Sequence, residues 1–335
     1  MKKLLLLISI MVWRTVAVWS QPVVDVHSHN ILPSYLEFLD RHDALLEEGF
    51  PLPSWNVDEH LRLMDEAGIV WSVLTMPAPQ PYYGSTIECQ KIIRRYNEET
   101  AGIKAKAPER FKFCASLPLP DVDAAIREAI YVLDTLRADG IKLATNSRGQ
   151  YLGDAVLDPL MEILNERHAV VIIHPHKPVP VNDAIVTVSP LAIYEYPAET
   201  TRTVINLIVR NVPARYPHVK FVIPHGGSFL PLAIPRMRGV HPIMQQAGMM
   251  GAIDWEANLK SFYYDLAGNI SPEVLRSLLS ITTPEHLLYG SDFPYVKAEG
   301  VKKALAALHK VLMDNLQCSS MADSLLMSNA AELFK

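Results

Sequence analysis

Short apolar runs alternate along this chain with longer segments whose apolar residues recur at helical spacing. Eight of the short runs predict buried strands, because a strand covered on both faces of a parallel sheet is apolar along most of its length. The predicted strands are Val23–His27, Ile69–Met76, Phe111–Leu117, Gly140–Ala144, Ala169–His174, Val219–Pro224, Phe262–Leu266 and His286–Gly290. The clearest helical segments are Val57–Ala67, Thr86–Ala107, Asp121–Ala138 and Glu199–Val212.

This regular alternation of strands and helices indicates one fold class. Eight strands separated by helices predict an α/β protein of the (β/α)8 TIM barrel type. A doubly wound sheet is a weaker interpretation, because no G-x-G-x-x-G pattern follows the first strand. No linker, low-complexity stretch or charge run divides the chain after residue 20. We therefore predict a single domain over residues 21–335.

The first twenty residues have a different pattern from the rest of the chain. Met1-Lys2-Lys3 is basic, and Leu4 to Trp13 is an apolar run that is short for a membrane span. This layout is typical of a signal peptide, so we predict cleavage near Ser20–Gln21 and export to the periplasm or out of the cell. An uncleaved amphipathic anchor is the alternative, and Arg14 within the segment favours it.

Composition narrows the class of protein. The chain has 335 residues, of which 49% are hydrophobic and 20% charged, and this composition excludes disordered and fibrous proteins. The formal net charge is −5, and loss of the three basic residues in the leader would make it −8, which argues against a nucleic-acid partner. Cys89, Cys114 and Cys318 form no C-x-x-C pair, so neither a disulfide framework nor a cysteine metal site is predicted.

Histidine and aspartate residues occur directly at the ends of four predicted strands. They are Asp25, His27 and His29 at the first strand, His174 at the fifth, His225 at the sixth and Asp292 at the eighth. Alternate residues of a strand share one face, so the three residues at the first strand can point into one interior. Active sites of barrels form at the carboxyl ends of the strands, and imidazole and carboxylate groups can bind a divalent metal there.

With these residues at its strand ends, the sequence resembles the amidohydrolase superfamily. The closer resemblance is to the branch that contains aminocarboxymuconate-semialdehyde decarboxylase and 6-methylsalicylate decarboxylase, and it extends over nearly all of the chain after residue 20. The segments that carry it are Asp25–His29, Pro53–Trp55, Ala138–Gly140, Tyr151–Asp154, Pro197–Thr201, His225–Gly227, Tyr289–Pro294 and Asn329–Phe334.

The resemblance implies one divalent metal ion, zinc or alternatively manganese. Its ligands would be His27, His29, His174 and Asp292. His225 and Asp292 would be the catalytic residues that handle protons, and Arg236 would bind a substrate carboxylate from across a homodimer interface. A binuclear site bridged by a carboxylated lysine is the rival within the superfamily. Lys142 lies early in the fourth strand, so we interpret it as structural.

Two differences from that branch leave the substrate open. His176 stands where the decarboxylase has a tryptophan, and the sequence favours neither a pocket position nor a solvated one for its side chain. The arginine that the decarboxylase carries between its first strand and first helix has no clear match, and nothing supports Arg41, the nearest candidate. Five aromatic residues can form a wall for a planar ring: Trp55, Tyr82, Tyr83, Phe293 and Tyr295.

The predicted function is that of a metal-dependent carboxy-lyase, which would release CO2 from a small aromatic or unsaturated carboxylic acid. A metal-dependent hydrolase of a lactone, ester or amide would use the same residues and is the first alternative. The second alternative is a non-catalytic exported protein that binds a metal or ligand. The expected partner is a small carboxylic acid, with no nucleic acid and no stable membrane span after cleavage.

Overall fold

The computed structural model describes residues 22–182, 184, 190–268, 271–316 and 319–335. The predicted signal segment and Cys318 lie outside these residues. The strands are β1 (Val23–His29), β2 (Ile69–Thr75), β3 (Phe111–Ser116), β4 (Gly140–Ala144), β5 (Asn146–Ser147), β6 (Gln150–Tyr151), β7 (Val170–His174), β8 (Lys220–Ile223), β9 (Phe262–Asp265) and β10 (Leu287–Leu288).

Helices follow the strands on the outside of the sheet. They are α1 (Pro33–Asp40), α2 (Val57–Ala67), α3 (Thr86–Lys106), α4 (Val122–Asp134), α5 (Asp158–Glu166), α6 (Glu195–Val209), α7 (Val212–Arg215), α8 (Leu230–Gln246), α9 (Trp255–Lys260), α10 (Pro272–Leu278), α11 (Ala298–Leu316), α12 (Ser319–Asp323) and α13 (Asn329–Leu333). A π-helical turn, Ser324–Ser328, joins the last two.

Eight parallel strands form one sheet in the order β1-β2-β3-β4-β7-β8-β9-β10, while β5 and β6 form a separate antiparallel hairpin. Backbone hydrogen bonds join the two ends of the large sheet. The amide of Val26 donates to the carbonyl of Tyr289 at 3.0 Å, and the amide of His29 donates to the carbonyl of Phe293 at 2.8 Å. The predicted (β/α)8 TIM barrel is therefore confirmed.

Apolar side chains fill the inside of the barrel. The buried residues packed there are Val24, Val26, Val73, Cys114, Val170, Ile172, Val222 and Leu288. A larger apolar cluster lies between the strands and the surrounding helices. Cys89 and Cys114 are both buried and unpaired. A barrel packed in this way leaves room for chemistry at its rim, where the loops after the strands meet.

The predicted elements agree closely with the observed ones, and each predicted strand end lies within two residues of the observed end. The larger differences are at helix ends. Helix α6 begins at Glu195 rather than Glu199, because Pro197 is tolerated in a first turn, where its missing N–H is not needed. Asp121 caps α4 as predicted, accepting from the amide of Ala124 at 3.0 Å, but the helix ends early, at Asp134.

No helix within the described part of the chain has both the length and the apolar character needed to cross a bilayer.

The stability of the fold depends on pH through His60 on α2. The indole N–H of Trp55 donates to its Nδ1 at 3.1 Å, and the rings of Phe111 and Phe293 pack around it. Burial lowers the pKa of His60 to about 3, and the charge of Arg110 acts in the same direction. Because the folded pKa lies below that of an unfolded histidine, the stabilisation is present above about pH 6.5 and is lost as the pH falls.

The substitution His60→Gln removes this titration while keeping an acceptor for Trp55. Between pH 6.5 and 5, the unfolding free energy of the wild type should fall more steeply than that of the variant, by roughly 1 kcal/mol per pH unit. Urea unfolding at pH 7.5, 6 and 5 measures both slopes. The exposed His218→Gln should keep the wild-type slope, and parallel curves for wild type and His60→Gln would contradict the assignment.

Candidate metal centre and active site

Four histidines and one aspartate meet at the carboxyl end of the barrel. His27 and His29 come from the end of β1, His174 from the end of β7, His225 from the loop after β8 and Asp292 from the loop after β10. The ligand atoms of the first three lie within 4.8 Å of one another, and those of His27, His225 and Asp292 form a second, overlapping group on the same criterion. The structure thus brings together all five side chains that the sequence indicates for a metal and its chemistry.

A hydroxyl group sets the orientation of the His29 ring. The Thr75 hydroxyl donates to the carbonyl of Ser28 at 2.9 Å, and its oxygen lies 2.9 Å from Nδ1 of His29. The hydroxyl proton is already used, so Nδ1–H of His29 must be the donor in the second contact. This tautomer leaves the Nε2 lone pair of His29 free to bind a metal.

His27 and His174 are held in the same way. Nδ1 of His27 lies 2.9 Å from Oδ2 of Asp265, and Nδ1 of His174 lies 2.9 Å from the carbonyl oxygen of Pro175. Both partners are acceptors, so each imidazole donates from Nδ1. Metal-binding histidines are usually fixed by such a contact on the nitrogen that does not bind the metal.

The Nε2 atoms of His27 and His29 are buried and have no hydrogen-bond partner in the described chain. Oδ1 of Asp292 lies 3.7 Å from the first of these nitrogens and 3.3 Å from the second. Leaving buried polar groups unsatisfied costs roughly 1–3 kcal/mol each. A divalent cation would satisfy both nitrogens and the carboxylate together, so these residues fit a bound metal ion.

The electrostatics of the site favour the same occupant. Burial lowers the pKa of His29 to about 4 and lowers that of His174 well below its usual value, so both rings are in the neutral, metal-binding form. For His27, burial acts to lower the pKa, but the Asp265 carboxylate outweighs it and raises the value to about 9, so this ring must release a proton when a metal binds. Burial acts to raise the pKa of Asp292, yet the neighbouring His29 and His27 lower it, so the carboxylate is ionised.

Asp265 is the residue of this site that the sequence patterns did not single out. One carboxylate oxygen contacts His27, and the other accepts from the amides of His225 and Ala267, each at 3.1 Å. Asp265 therefore fixes both a metal-ligand candidate and a catalytic candidate. The available signal was its position at the end of the predicted seventh strand, because the other site residues also lie at the ends of predicted strands.

Asp25 has a different place from the one predicted. Its carboxylate accepts from the amide and hydroxyl of Ser291, at 2.9 and 2.6 Å, and from the amide of His27 at 3.1 Å. The register between β1 and β2 shifts between Asp25 and Ser28, so strict alternation of faces is interrupted there. Asp25 joins the ends of β1 and β10 and is not in either ligand group.

Backbone strain and close packing accompany these residues. His225 and Asp292 have φ values of 56° and 57°, in the left-handed region that side chains rarely adopt. Such strain is kept where the surrounding structure enforces it, often at functional sites. Gly290 lies against His27, and a Cβ at this glycine would come within 2.6 Å of the histidine Cβ. A larger residue at position 290 would push the ligand out of place.

A cavity of about 340 Å³ opens onto this cluster. Its lining residues are Phe50, Ala78, His174, Pro190, Ala192, Tyr196, Pro197, His225, Asp292 and Tyr295. Of the predicted aromatic wall, Tyr295 alone is among these residues. Trp55 instead contacts His60, and Tyr83 stacks on His42. Phe50 comes from the loop between α1 and α2, and Tyr196 comes from the first turn of α6, so no local pattern joined them to the strand ends.

Two further candidates lie away from the cavity. Arg236 is exposed on α8 and does not line the cavity of its own chain. Arg41 is exposed too, with its guanidinium 5.7 Å from the ring centre of Phe38. Neither arginine places a positive charge in the cavity of its own chain.

His176 and Lys142 are buried beside the site. His176 accepts from the amide of Gln80 at 2.6 Å and lies 3.2 Å from Glu48, so it is neither solvated nor part of the cavity wall. Lys142 pairs with Ile172, two residues before the level of His174 on the neighbouring strand. Its side chain is buried and borders a separate small cavity of about 10 Å³, not the cavity at the histidine cluster.

The substitution Asp265→Asn tests the support of His27. It keeps the shape of the side chain but removes its negative charge, so affinity for Zn²⁺ or Mn²⁺ should fall about 10–100-fold. Competition with a coloured chelator measures the affinity. Asp314→Asn, an exposed aspartate on α11, is the matched control and should leave it unchanged. Equal affinities for wild type and Asp265→Asn would show that this carboxylate does not tune the site.

Comparisons with known proteins identify relatives of the whole chain. It is 36% identical to decarboxylase macB of Penicillium terrestre over 307 residues, which cover 86% of this chain and 88% of the relative. It is 32% identical to 6-methylsalicylic acid decarboxylase of Penicillium expansum over 275 residues, 81% and 84% of the two chains.

Solved structures share the fold. The 5-carboxyvanillate decarboxylase LigW of Sphingomonas paucimobilis superposes with a TM-score of 0.83 at 22% identity, covering 94% of this chain and 99% of that one. A dihydroxybenzoic acid decarboxylase of Polaromonas, solved with manganese and 2-nitroresorcinol, superposes with a TM-score of 0.73 at 20% identity, covering 94% and 97%. The amidohydrolase family model matches residues 24–335, so this chain belongs to the amidohydrolase family.

Proposed function

We propose that this protein is a metal-dependent, non-oxidative decarboxylase of a small hydroxylated aromatic carboxylic acid. The observation that carries the proposal is the group of buried imidazoles, whose ligand atoms lie within 4.8 Å of one another, at the mouth of a largely apolar cavity. Relatives at 36% and 32% identity that are named decarboxylases support it. An apolar cavity with a few convergent polar groups suits a planar ring that carries one acidic group.

Four residues would hold the ion: His27, His29, His174 and Asp292. A divalent ion bound there supplies fixed positive charge that offsets the negative charge of the substrate as its ring loses aromaticity. The aromatic and proline residues of the wall exclude water and hold the ring. His225 and Asp292 line the same cavity, which places them to move a proton to the substrate.

The reaction needs one proton for each turnover. A C–H bond forms at the ring carbon that carries the carboxylate, with the proton delivered by whichever of His225 and Asp292 has first taken one up from solvent. The bond between that carbon and the carboxylate then breaks, CO2 leaves with no change of oxidation state elsewhere, and the ring regains its aromaticity. Solvent returns the proton to the donor before the next cycle.

We propose a single ion rather than a pair. Three imidazoles and a carboxylate suit zinc, which is our first choice. Manganese is the alternative, and the manganese in the Polaromonas decarboxylase supports it.

We also propose that residues 1–20 are a cleaved signal peptide and that the protein acts outside the cytoplasm. The basic start and the apolar run that follows it support this proposal.

A panel of hydroxybenzoates tests the reaction. Protein loaded with zinc or manganese should release CO2 from at least one member, with 6-methylsalicylate included in the panel. His225→Ala should retain its metal and lose most turnover, at least about 100-fold, because a general acid or base typically contributes that much.

Two outcomes would replace the proposal. Turnover of lactones or esters with no CO2 from any acid would indicate a hydrolase. Metal binding with no turnover of either class would indicate a binding protein.

Arg236 suggests how the substrate carboxylate is held. Among the described residues, no Lys or Arg lines the cavity, so this part of the chain supplies no side-chain cation there. Arg236 shares one face of α8 with three exposed apolar residues at helical spacing: Leu232, Val240 and Ile243. We propose that a second copy of the chain covers this apolar face and that Arg236 thereby reaches the partner's cavity, completing a homodimeric site.

Mixed dimers test whether this arginine acts across the interface. Arg236→Ala and Asp292→Asn should each be nearly inactive alone. Co-expression should restore about a quarter of wild-type turnover, because half of randomly paired dimers are hybrids and each hybrid has one complete site. If Arg236 acts within its own chain or not at all, the mixture will show no gain over the separate variants.

A further inference from the structure

The wall of the cavity includes the aromatic ring of Phe50, which is distant in sequence from the proposed metal ligands. Phe50 comes from the loop between α1 and α2, residues 41–56, and packs edge-on against Tyr295 with ring centres 5.7 Å apart. Tyr295 in turn packs against the ring of His29 at 5.4 Å. Phe50 therefore lies one side chain beyond the metal centre, where the far part of a bound aromatic ring would reach.

Two glutamates next to Phe50 fix the loop that carries it. Oε1 of Glu47 lies 2.9 Å from the ammonium of Lys177 and 3.2 Å from the guanidinium of Arg148. The Tyr83 hydroxyl donates to the other oxygen of Glu47. These contacts join the loop to segments that follow β2, β4 and β7.

Glu48 forms the buried half of this attachment. Its Oε2 accepts from the Tyr196 hydroxyl at 2.9 Å and from the amide of Lys177 at 3.1 Å. Tyr196 also lines the cavity. Because its hydroxyl is bonded to Glu48, its ring remains as part of the cavity wall. Gly49, at a φ of +84°, then turns the chain between Glu48 and Phe50. The position of Phe50 is thus set by buried contacts rather than by a free loop.

Small or apolar residues complete this part of the wall. They are Pro190, Ala192 and Pro197, which lie before and at the start of α6. None of them has a side chain that forms a hydrogen bond. A hydroxyl or second carboxylate on the ring would lose its water here without gaining a partner, whereas a methyl group would lose nothing.

We propose that Phe50 is a specificity-determining residue that selects a ring bearing an alkyl group over one bearing a second polar group. The proposal rests on the proposed decarboxylase function and names its substrate class: a hydroxybenzoate with a small alkyl substituent.

Matched substrate and ligand pairs test the proposal. 6-Methylsalicylate and 2,6-dihydroxybenzoate differ by a methyl and a hydroxyl at one ring position, and so do their decarboxylated products, 3-methylphenol and resorcinol. The wild type should prefer the methyl member of each pair, by kcat/KM for the acids and by calorimetric Kd for the phenols. Phe50→Ala should lower both preferences about 10-fold, because it opens the wall to water.

Two further variants separate specificity from folding. Leu46→Ala lies on the same loop, is 63% exposed and does not line the cavity, so it should keep the wild-type preferences. Phe50→Leu keeps an apolar wall and should keep most of the preference even if Phe50→Ala melts early.

The two proposals can fail separately. CO2 release with equal preferences in wild type and Phe50→Ala would overturn the role of Phe50 alone. Absence of CO2 together with a shift in the phenol preferences would overturn the decarboxylase proposal and leave the pocket assignment in place. A wild type that prefers the hydroxyl member of both pairs would overturn the role of Phe50 whatever the variant does.

Discussion

Buried imidazole nitrogens without partners are the constraint on which the rest of this structure depends. Nε2 of His27 and of His29 are enclosed at the barrel rim, and the described chain offers neither of them a hydrogen bond. Protein interiors rarely leave such atoms unsatisfied, since each costs roughly 1–3 kcal/mol. Oδ1 of Asp292 brings negative charge close to both. A cation bound between these atoms would satisfy the nitrogens and the carboxylate together.

The barrel makes this arrangement rigid. The support for two of the imidazoles comes from the ends of other strands: Thr75 from β2 for His29 and Asp265 from β9 for His27. Because the barrel interior is packed with apolar side chains, the strand ends cannot move independently. Asp265 extends the same control to His225 through its backbone amide. The candidate metal ligands and the candidate proton-handling residues therefore share one framework, which suits a reaction with little tolerance for displacement.

Local pattern was sufficient to predict the barrel and the residues at its strand ends. His27, His174 and Asp292 each follow an apolar run, so one-dimensional spacing placed them at the rim. Contacts between distant segments could not be read in that way. Phe50, Glu48 and Tyr196 meet only because the fold brings the loop before α2 against the first turn of α6. The expectation that alternate residues of β1 share one face was wrong for Asp25 for a related reason. The register shift that interrupts this alternation depends on the pairing of β1 with β2.

The proposed chemistry depends on one divalent ion bound through the Nε2 atoms of the three buried histidines. Anomalous diffraction from crystals of the protein loaded with Mn²⁺ detects such an ion. We expect a single strong peak at the rim, bonded to Nε2 of His27, His29 and His174 and to the Asp292 carboxylate. A peak elsewhere, two peaks of equal strength at the rim, or coordination through Nδ1 would contradict it.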